Sequence, residues 1–337
     1  MVYGAIDLHA RTCQIRVVDA EGQVLREGRV STTAEALIAG FTDLGPVRIL
    51  LESSTESEWV AQALEAAGFA VIVADPNFAP MYGERHRKVK TDRRDAAVLA
   101  DANRRDCYHR AYRRSAAQRT MQQRLKARRL LVGARTGVIS ETRAILRQLG
   151  LRLGAGGSAD IAKRLARLAL PPAVERVLAP LARMVTALTQ EIAGLDADCA
   201  TAAAGDPVVT RLQTVPGVGP VVALTFRAFI DDVARFQHAG QVSAAIGLVP
   251  REDSSGERRH RGHITKAGPS ELRSLLVQAA WACQHTRRSG PLRLWMAAVA
   301  QRRGPRVAIV ALARRLSRIL YAVWRDGTDF SLAALTA

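Results

Sequence analysis

The chain has 337 residues, 48% of them hydrophobic, and its 49 Lys and Arg against 31 Asp and Glu give a formal net charge of +18. This length exceeds what one hydrophobic core usually supports, so we expect two or more domains. The hydrophobic content excludes a disordered chain, and the excess of positive charge indicates a polyanionic partner such as nucleic acid.

The cysteines and the apolar runs indicate which classes of protein are excluded. Cys13, Cys107, Cys199 and Cys283 form no C-x-x-C pair, which favours reduced packing residues over a zinc knuckle or a disulfide framework. No run approaches the roughly 18 apolar residues of a membrane span, and no charged segment precedes an apolar stretch at the N-terminus. We therefore expect no membrane association and a cytoplasmic location.

The first hundred residues alternate strand and helix patterns. Three β-rich runs joined by short polar turns predict an antiparallel meander, at residues 2–8, 13–19 and 24–30. The patterns that follow predict helix 33–45, strand 47–52, helix 56–68 and strand 70–75. In this β-β-β-α-β-α-β order, a right-handed crossover lays the fourth strand parallel to the first and beside it.

Four carboxylates are expected to meet at one edge of this sheet. Asp7 and Glu52 end the first and fourth strands, at the carboxyl ends where open α/β sheets place ligands. A helix beginning at about Thr91 carries Asp92 and Asp95 on one face. Carboxylate oxygens suit Mg²⁺ or Mn²⁺, and such ions can clamp a phosphodiester, so the four acids predict a metal site. Each acid alone also fits a simpler role, as a helix N-terminal stabiliser or a strand-end cap.

Positive charge is concentrated beside this predicted site. Residues 84–129 contain sixteen Lys or Arg against five Asp or Glu, with few aromatic residues. This pattern favours phosphate contacts with duplex DNA or structured RNA over stacking on a single strand, and a solvated basic face is the alternative. The predicted contacts are Arg85, Arg87, Lys88, Lys90, Arg93 and Arg94.

Helical patterns take over after residue 115. Apolar residues recur every seven positions from Leu125 to Leu146, and an alternating apolar stripe runs from Leu181 to Cys199. Together they predict a helical hairpin or coiled coil. Such a stripe serves either as a packing seam within one chain or as an interface between copies, and the sequence leaves both open.

The last third opens with a glycine turn and continues into a basic loop that contains serines. Gly217 and Gly219 precede an apolar helix, which favours either a helix-hairpin-helix grip on phosphate or a plain helix N-terminus. Ser254 and Ser255 stand among cations able to stabilise a phosphoryl group under attack by serine. These cations are Arg251, Arg258, Arg259, Arg261 and Lys266.

Two further helices are predicted towards the C-terminus. A helix from Pro269 has an apolar face for packing, and Arg273 lies off that face. We therefore expect Arg273 to contact DNA. The segment 305–327 is amphipathic, and the absence of a lipidation motif favours a core-packing helix with a basic exterior over a membrane-surface helix.

The order of elements and acids resembles two known families. The β-β-β-α-β-α-β pattern with its acids resembles the ribonuclease-H-like fold of RuvC resolvases. More narrowly, IDLHA near the start and KTDRRDA near residue 90 resemble the DEDD transposases of insertion-sequence family 110, relatives of the Piv DNA invertases. The GL-x-P, Ser-Gly and I-[ST]-K-x-G elements within 242–281 resemble the transposase domain of the same family, so the resemblance spans nearly the whole chain.

The resemblance implies three parts. They are a RuvC-like catalytic domain at 1–112, a helical spacer at 113–204 and a mainly α-helical, serine-containing transposase domain at 205–337.

For the chemistry, the resemblance implies that Asp7, Glu52, Asp92 and Asp95 hold magnesium. It also implies that Ser255, with Ser254 as the adjacent choice, attacks DNA and forms a phosphoserine link. It further implies a homotetramer, a dimer of dimers, whose composite active sites join acids and serine from different subunits. A structured noncoding RNA would guide this assembly, in the nucleoid of a bacterial cell.

Three alternatives remain open at this point. A site-specific invertase of the Piv type would use the same residues. A RuvC-like nuclease or resolvase would use water as the nucleophile, with the serine as a bystander. An architectural nucleic-acid binder would need neither the acids nor the serine.

Overall fold

The computed structural model describes residues 1–81, 91–252, 261–286 and 289–331. The chain forms two compact units, Met1–Arg114 and Ser115–Ala337. The first is a mixed α/β unit and the second is mostly helical, as predicted at this level. The division into 1–112, 113–204 and 205–337 stays a prediction.

The first unit is built on a five-stranded sheet. Its strands are β1 (Val2–Asp7), β2 (Thr12–Val18), β3 (Val24–Ser31), β4 (Val47–Glu52) and β5 (Ala70–Ala74). Their order in the sheet is β3-β2-β1-β4-β5. The first three strands pair antiparallel, whereas β4 lies parallel to β1 and β5 parallel to β4. The predicted meander and the predicted neighbours β1 and β4 are both confirmed.

The α-helices that flank this sheet in the described part of the unit are α1 (Ala34–Ala39), α2 (Ser57–Ala66) and α3 (Asp92–Arg104). The predicted end of the first helix at Gly45 is wrong, because α1 ends at Ala39 with Gly40 as its C-cap. Asp43 and Gly45 both have positive φ, 67° and 72°, and left-handed backbone cannot continue a right-handed helix. Phe41, in the intervening turn, is fully buried in the core.

The two faces of the sheet bury different side chains, because successive residues of a strand point to opposite faces. Ile6 and Leu51 belong to the cluster on one face, which also takes in Leu37 of α1. Ala5 and Leu50 belong to the cluster on the other face, together with Leu99 of α3. The sheet is therefore covered on both sides, and α3 is held against its central strands.

The second unit contains further helices and a two-stranded hairpin. Its helices are α4 (Ala116–Gln148), α5 (Ile161–Leu165), α6 (Pro172–Gly205), α7 (Pro207–Leu212), α8 (Pro220–Ile230), α9 (Ala239–Ala245), α10 (Ser270–His285), α11 (Gly290–Arg303) and α12 (Pro305–Asp326). Strands β6 (Pro250–Glu252) and β7 (Arg261–Ile264) pair antiparallel. The sequence did not predict this hairpin, because both strands are very short and mostly polar.

The long helices α4 and α6 pack against each other within the second unit. Ile139 of α4 and Val185 of α6 are buried in one shared cluster, and the Arg128 side chain pairs with Asp196. The predicted helical hairpin is confirmed, and its apolar rows form a packing seam within the chain. Whether they also join copies of the chain stays a prediction.

Within the described residues, no helix has the length and apolar character needed to cross a membrane.

Candidate active site

Two of the predicted acids lie on adjacent strand ends. Asp7 is the last residue of β1 and Glu52 the last residue of β4. The preceding residues, Ile6 and Leu51, are partners in the parallel ladder, and neighbouring strands lie about 4.8 Å apart. The fold thus brings Asp7 and Glu52 to the same edge, as the sequence predicts.

The first turn of α3 supplies the other two acids. The Thr91 side chain caps the helix by accepting a hydrogen bond from the Arg94 backbone N–H at 3.4 Å. Asp92 and Asp95 follow in the first turn, where a helix N-terminus favours negative charge. A capped helix start therefore holds both carboxylates.

A histidine that the sequence did not single out joins this group. The His9 Nε2 atom lies 3.3 Å from Asp7 Oδ2 and 3.5 Å from Asp92 Oδ1. One ligand atom each from Asp7, His9 and Asp92 lie within 4.8 Å of one another. The available signal was the D-x-H spacing in IDLHA, although a polar residue after a strand is more often part of an ordinary loop.

The electrostatics of Asp7 favour a bound cation. Burial raises the pKa of its carboxyl, His9 opposes that rise, and the nearby charges of Asp95 and Asp92 raise it further. The Oδ2 atom is buried, and no donor in the described ranges is aligned to hydrogen-bond to it. A cation would relieve the repulsion among the acids and would bind this oxygen, whose contact with His9 Nε2 at 3.3 Å is not aligned as a hydrogen bond.

This donor set fits a divalent metal ion. Four carboxylates offer the oxygen ligands that Mg²⁺ and Mn²⁺ take, and an imidazole nitrogen extends the set towards transition metals. Asp7, Asp92 and His9 are placed to hold such an ion, with Asp95 and Glu52 beside them.

Basic side chains lie next to these acids. The Arg29 Nη2 atom lies 3.2 Å from Asp92 Oδ2. Arg93, one of the predicted nucleic-acid contacts, is 74% exposed and pairs with Glu27 at 2.7 Å. The Arg94 side chain is also exposed. Arg85, Arg87, Lys88 and Lys90 lie outside the described residues.

The serine-containing segment is described only at its borders. Arg251 of β6 and Lys266 are both exposed, and Lys266 has φ of 57°. Arg261 begins β7. The remaining predicted residues, Ser254, Ser255, Arg258 and Arg259, lie outside the described residues.

The glycine turn packs against α10. Gly217 has φ of 82°, and a Cβ added there would stand 2.3 Å from the Ala279 carbonyl oxygen. Packing thus accounts for this glycine without a nucleic acid. Gly219 is the N-cap of α8, and a Cβ there would meet nothing within 4 Å. Phosphate binding at Gly217 and Gly219 stays a prediction.

Arg273 has a structural contact that the sequence did not predict. Its Nη1 donates to the carbonyl oxygens of Ile246, Ala267 and Gly268 at 3.0, 2.6 and 3.0 Å. The guanidinium thereby ties α10 to two neighbouring loops. A contact between Arg273 and DNA stays a prediction.

Comparison with protein families gives two matches. Residues 5–150 match the DEDD transposase domain of the IS110 type, and residues 209–293 match the family described as Transposase IS116/IS110/IS902 family. The first match contains all four predicted acids, and the second contains Ser254 and Ser255.

Curated relatives agree with these matches over most of the chain. A probable family 20 transposase of Pseudomonas aeruginosa is 31% identical over 303 residues, which cover 84% of this chain and 85% of that protein. The transposase for insertion sequence element IS1111A of Coxiella burnetii is 29% identical, over 94% and 88%. The transposase for insertion sequence element IS1328 of Yersinia enterocolitica is 28% identical, over 97% of each chain.

Proposed function

This chain belongs to the IS116/IS110/IS902 transposase family, whose members cut and rejoin DNA, and we propose that it recombines DNA through a metal-bound acidic site and a serine nucleophile. Family membership makes DNA its substrate and implies the use of a divalent metal ion. The proposal adds the identity of the metal, the residues that hold it, the nucleophile and the partners.

The acidic site is proposed to hold Mg²⁺ in a RuvC-like domain. The observation that carries this proposal is the cluster of Asp7, His9 and Asp92, with a raised pKa at Asp7 and a buried carboxylate oxygen that lacks an aligned donor. Glu52 and Asp95 complete the ligand set from the adjacent strand end and the same helix turn. When bound, the ion would polarise the phosphodiester and stabilise charge on its oxygens.

Ser255 is the proposed nucleophile, with Ser254 as the adjacent choice. Its Oγ would form a bond to phosphorus as the bond from phosphorus to one deoxyribose oxygen breaks, and that oxygen would take up a proton. The phosphoserine link conserves the energy of the broken bond for rejoining, so no external energy source is required. Support comes from the match over 209–293 and from the flanking GLVP and ITKAG elements.

Two partners are proposed from the family resemblance together with the charge. A structured noncoding RNA would guide the choice of DNA, and the chain would work as a dimer of dimers. The net charge of +18 suits simultaneous contact with two polyanions.

A recombination reporter in cells tests the acidic site. We expect Asp7→Asn and Asp92→Asn to abolish junction formation, because each removes a carboxylate oxygen from the proposed metal site. Asp19→Asn is the matched control, since Asp19 lies in the same unit and its carboxylate accepts a turn hydrogen bond from the Gln23 backbone N–H. Junctions at the wild-type rate from folded Asp7→Asn and Asp92→Asn proteins would overturn the proposal.

A further inference from the structure

A groove with a volume of about 1250 Å³ runs along α12 in the second unit. One wall is α12 and the end of α11, and the other includes Pro250 and His263 of the β6–β7 hairpin. We call it the arginine groove, after six of its lining residues. These are Arg303, Arg306, Arg314, Arg315, Arg318 and Arg325.

The charge of this groove is strongly one-sided. No Asp or Glu is among its described lining residues. Arg303, Arg306 and Arg318 are exposed, and among the described residues they have no carboxylate partner. Arg325 pairs with Asp326 at 2.7 Å. Crowded guanidinium groups repel one another, so the groove favours a polyanion that supplies several negative charges along a line.

The spacing of the arginines follows the helix. At about 100° and 1.5 Å per residue, Arg314, Arg318 and Arg325 lie within about 40° of one another and span about 16 Å of α12. They therefore form a row along one face, as a chain of phosphates requires.

The floor of the groove is apolar. Leu248 is buried, Val307 is 50% exposed, and Ile264 and Val310 are partly buried. The Arg315 guanidinium stacks over the Trp295 ring at 4.7 Å from its centroid. A duplex presents its sugar-phosphate backbone to such a groove and keeps its bases stacked inside. A single strand can lay its bases on the apolar floor and its phosphates against the arginines.

We propose that the arginine groove binds a single strand of DNA. Its hairpin wall consists of β6 and β7, the strands on either side of residues 253–260 in the sequence. The DNA strand in the groove would thus contact strands that directly flank the segment containing the proposed serine. In this respect the inference rests on the proposed function. It requires that the strand be unpaired before the serine attacks it.

Binding by the full-length protein tests the inference. The probe is a fluorescein-labelled oligothymidylate, and a labelled DNA hairpin and an oligouridylate serve as comparisons in fluorescence anisotropy. Each phosphate contact with a single strand contributes about −0.7 to the slope of log K against log salt, which is about fivefold in affinity at 0.1 M salt. Arg306→Ala with Arg318→Ala should therefore weaken oligothymidylate binding by about 25-fold and reduce the slope by about 1.4.

Arg176→Ala is the matched control, because Arg176 is an exposed arginine of α6 in the same unit. It should leave both quantities unchanged, and the melting temperatures of all variants should match that of the wild type. Unchanged oligothymidylate binding by the double variant would overturn the groove. Equal losses for hairpin and single strand would overturn the choice of an unpaired strand, and preferential loss of oligouridylate binding would overturn the choice of DNA.

The same variants separate this inference from the proposed function. If the double variant loses oligothymidylate binding but the wild-type protein never becomes covalently linked to DNA, the serine mechanism is contradicted and the groove is not. If the wild-type protein and the double variant become linked to DNA equally well, the proposed role of the groove is contradicted and the serine mechanism is not.

Discussion

The Asn103 side chain offers the sharpest test of how the fold positions the acidic site. Asn103 is fully buried in α3. Its Nδ2 donates to the Gly4 and Arg48 carbonyl oxygens, each at 2.7 Å, and its Oδ1 accepts from Arg48 Nε at 2.9 Å. One amide thus ties the helix that carries Asp92 to the two strands that end at Asp7 and Glu52.

Replacing Asn103 with Ala removes all three hydrogen bonds. At about 1 to 1.5 kcal/mol each, their loss should destabilise the first unit by about 3–4.5 kcal/mol. Hydrogen exchange of backbone amides in β1, β4 and α3 measures this loss locally, without requiring both units to unfold together. Asn77→Ala is the control, because Asn77 is exposed and its side chain donates one hydrogen bond, to the nearby Asp75 carboxylate. A loss below about 1 kcal/mol in the Asn103 variant, or equal losses in both variants, would refute the reasoning.

Two further predictions concern charge and packing. Hydrogen bonding from Arg93 holds the pKa of Glu27 below its usual range. The ionised Glu27 carboxylate therefore stabilises the fold at about neutral pH, and this contribution is lost as the solution is acidified below the usual Glu pKa of 4.5. Glu27→Gln should thus lower the stability at about neutral pH and have little effect in acid. Urea midpoints of both proteins across this range check it, and a difference that persists in acid would contradict it. Gly217→Ala should lower the melting temperature markedly, because its Cβ would stand 2.3 Å from the Ala279 carbonyl oxygen. Gly194→Ala, inside α6 with nothing within 4 Å, should not lower it, and equal effects would count against the packing argument.

The first unit was predictable because its signals are local and strong. Apolar strands such as 47–52 are bounded by turn residues, and the crossover rule then places β4 beside β1. The meeting of Asp7 with Glu52 followed from those two facts, and the position of Asp92 followed from the helix pattern that begins at Thr91.

Other features depend on contacts that no short window contains. The partners of Asn103, Gly4 and Arg48, lie 99 and 55 positions away in the chain. In the sequence, Arg273 has the pattern of a cation on an exposed helix face, and nothing there indicates its hydrogen bonds to two loops. His9 follows a strand as many loop residues do, so only its place between Asp7 and Asp92 distinguishes it. The β6–β7 hairpin has too few residues for a period-two pattern to emerge.

We propose that the serine and the metal-bound acids together exchange DNA strands through a covalent link. In the most direct test, the protein is purified together with its copurifying nucleic acid. It is then incubated with Mg²⁺ and with the DNA that flanks its own gene. Denaturation and mass spectrometry then locate any peptide linked to DNA. We predict a link at Ser255, or at Ser254 if the register is shifted by one, which is lost without Mg²⁺ and in Asp7→Asn. Cleaved DNA with no linked peptide, or a peptide linked to DNA through a residue other than these two serines, would contradict the serine mechanism.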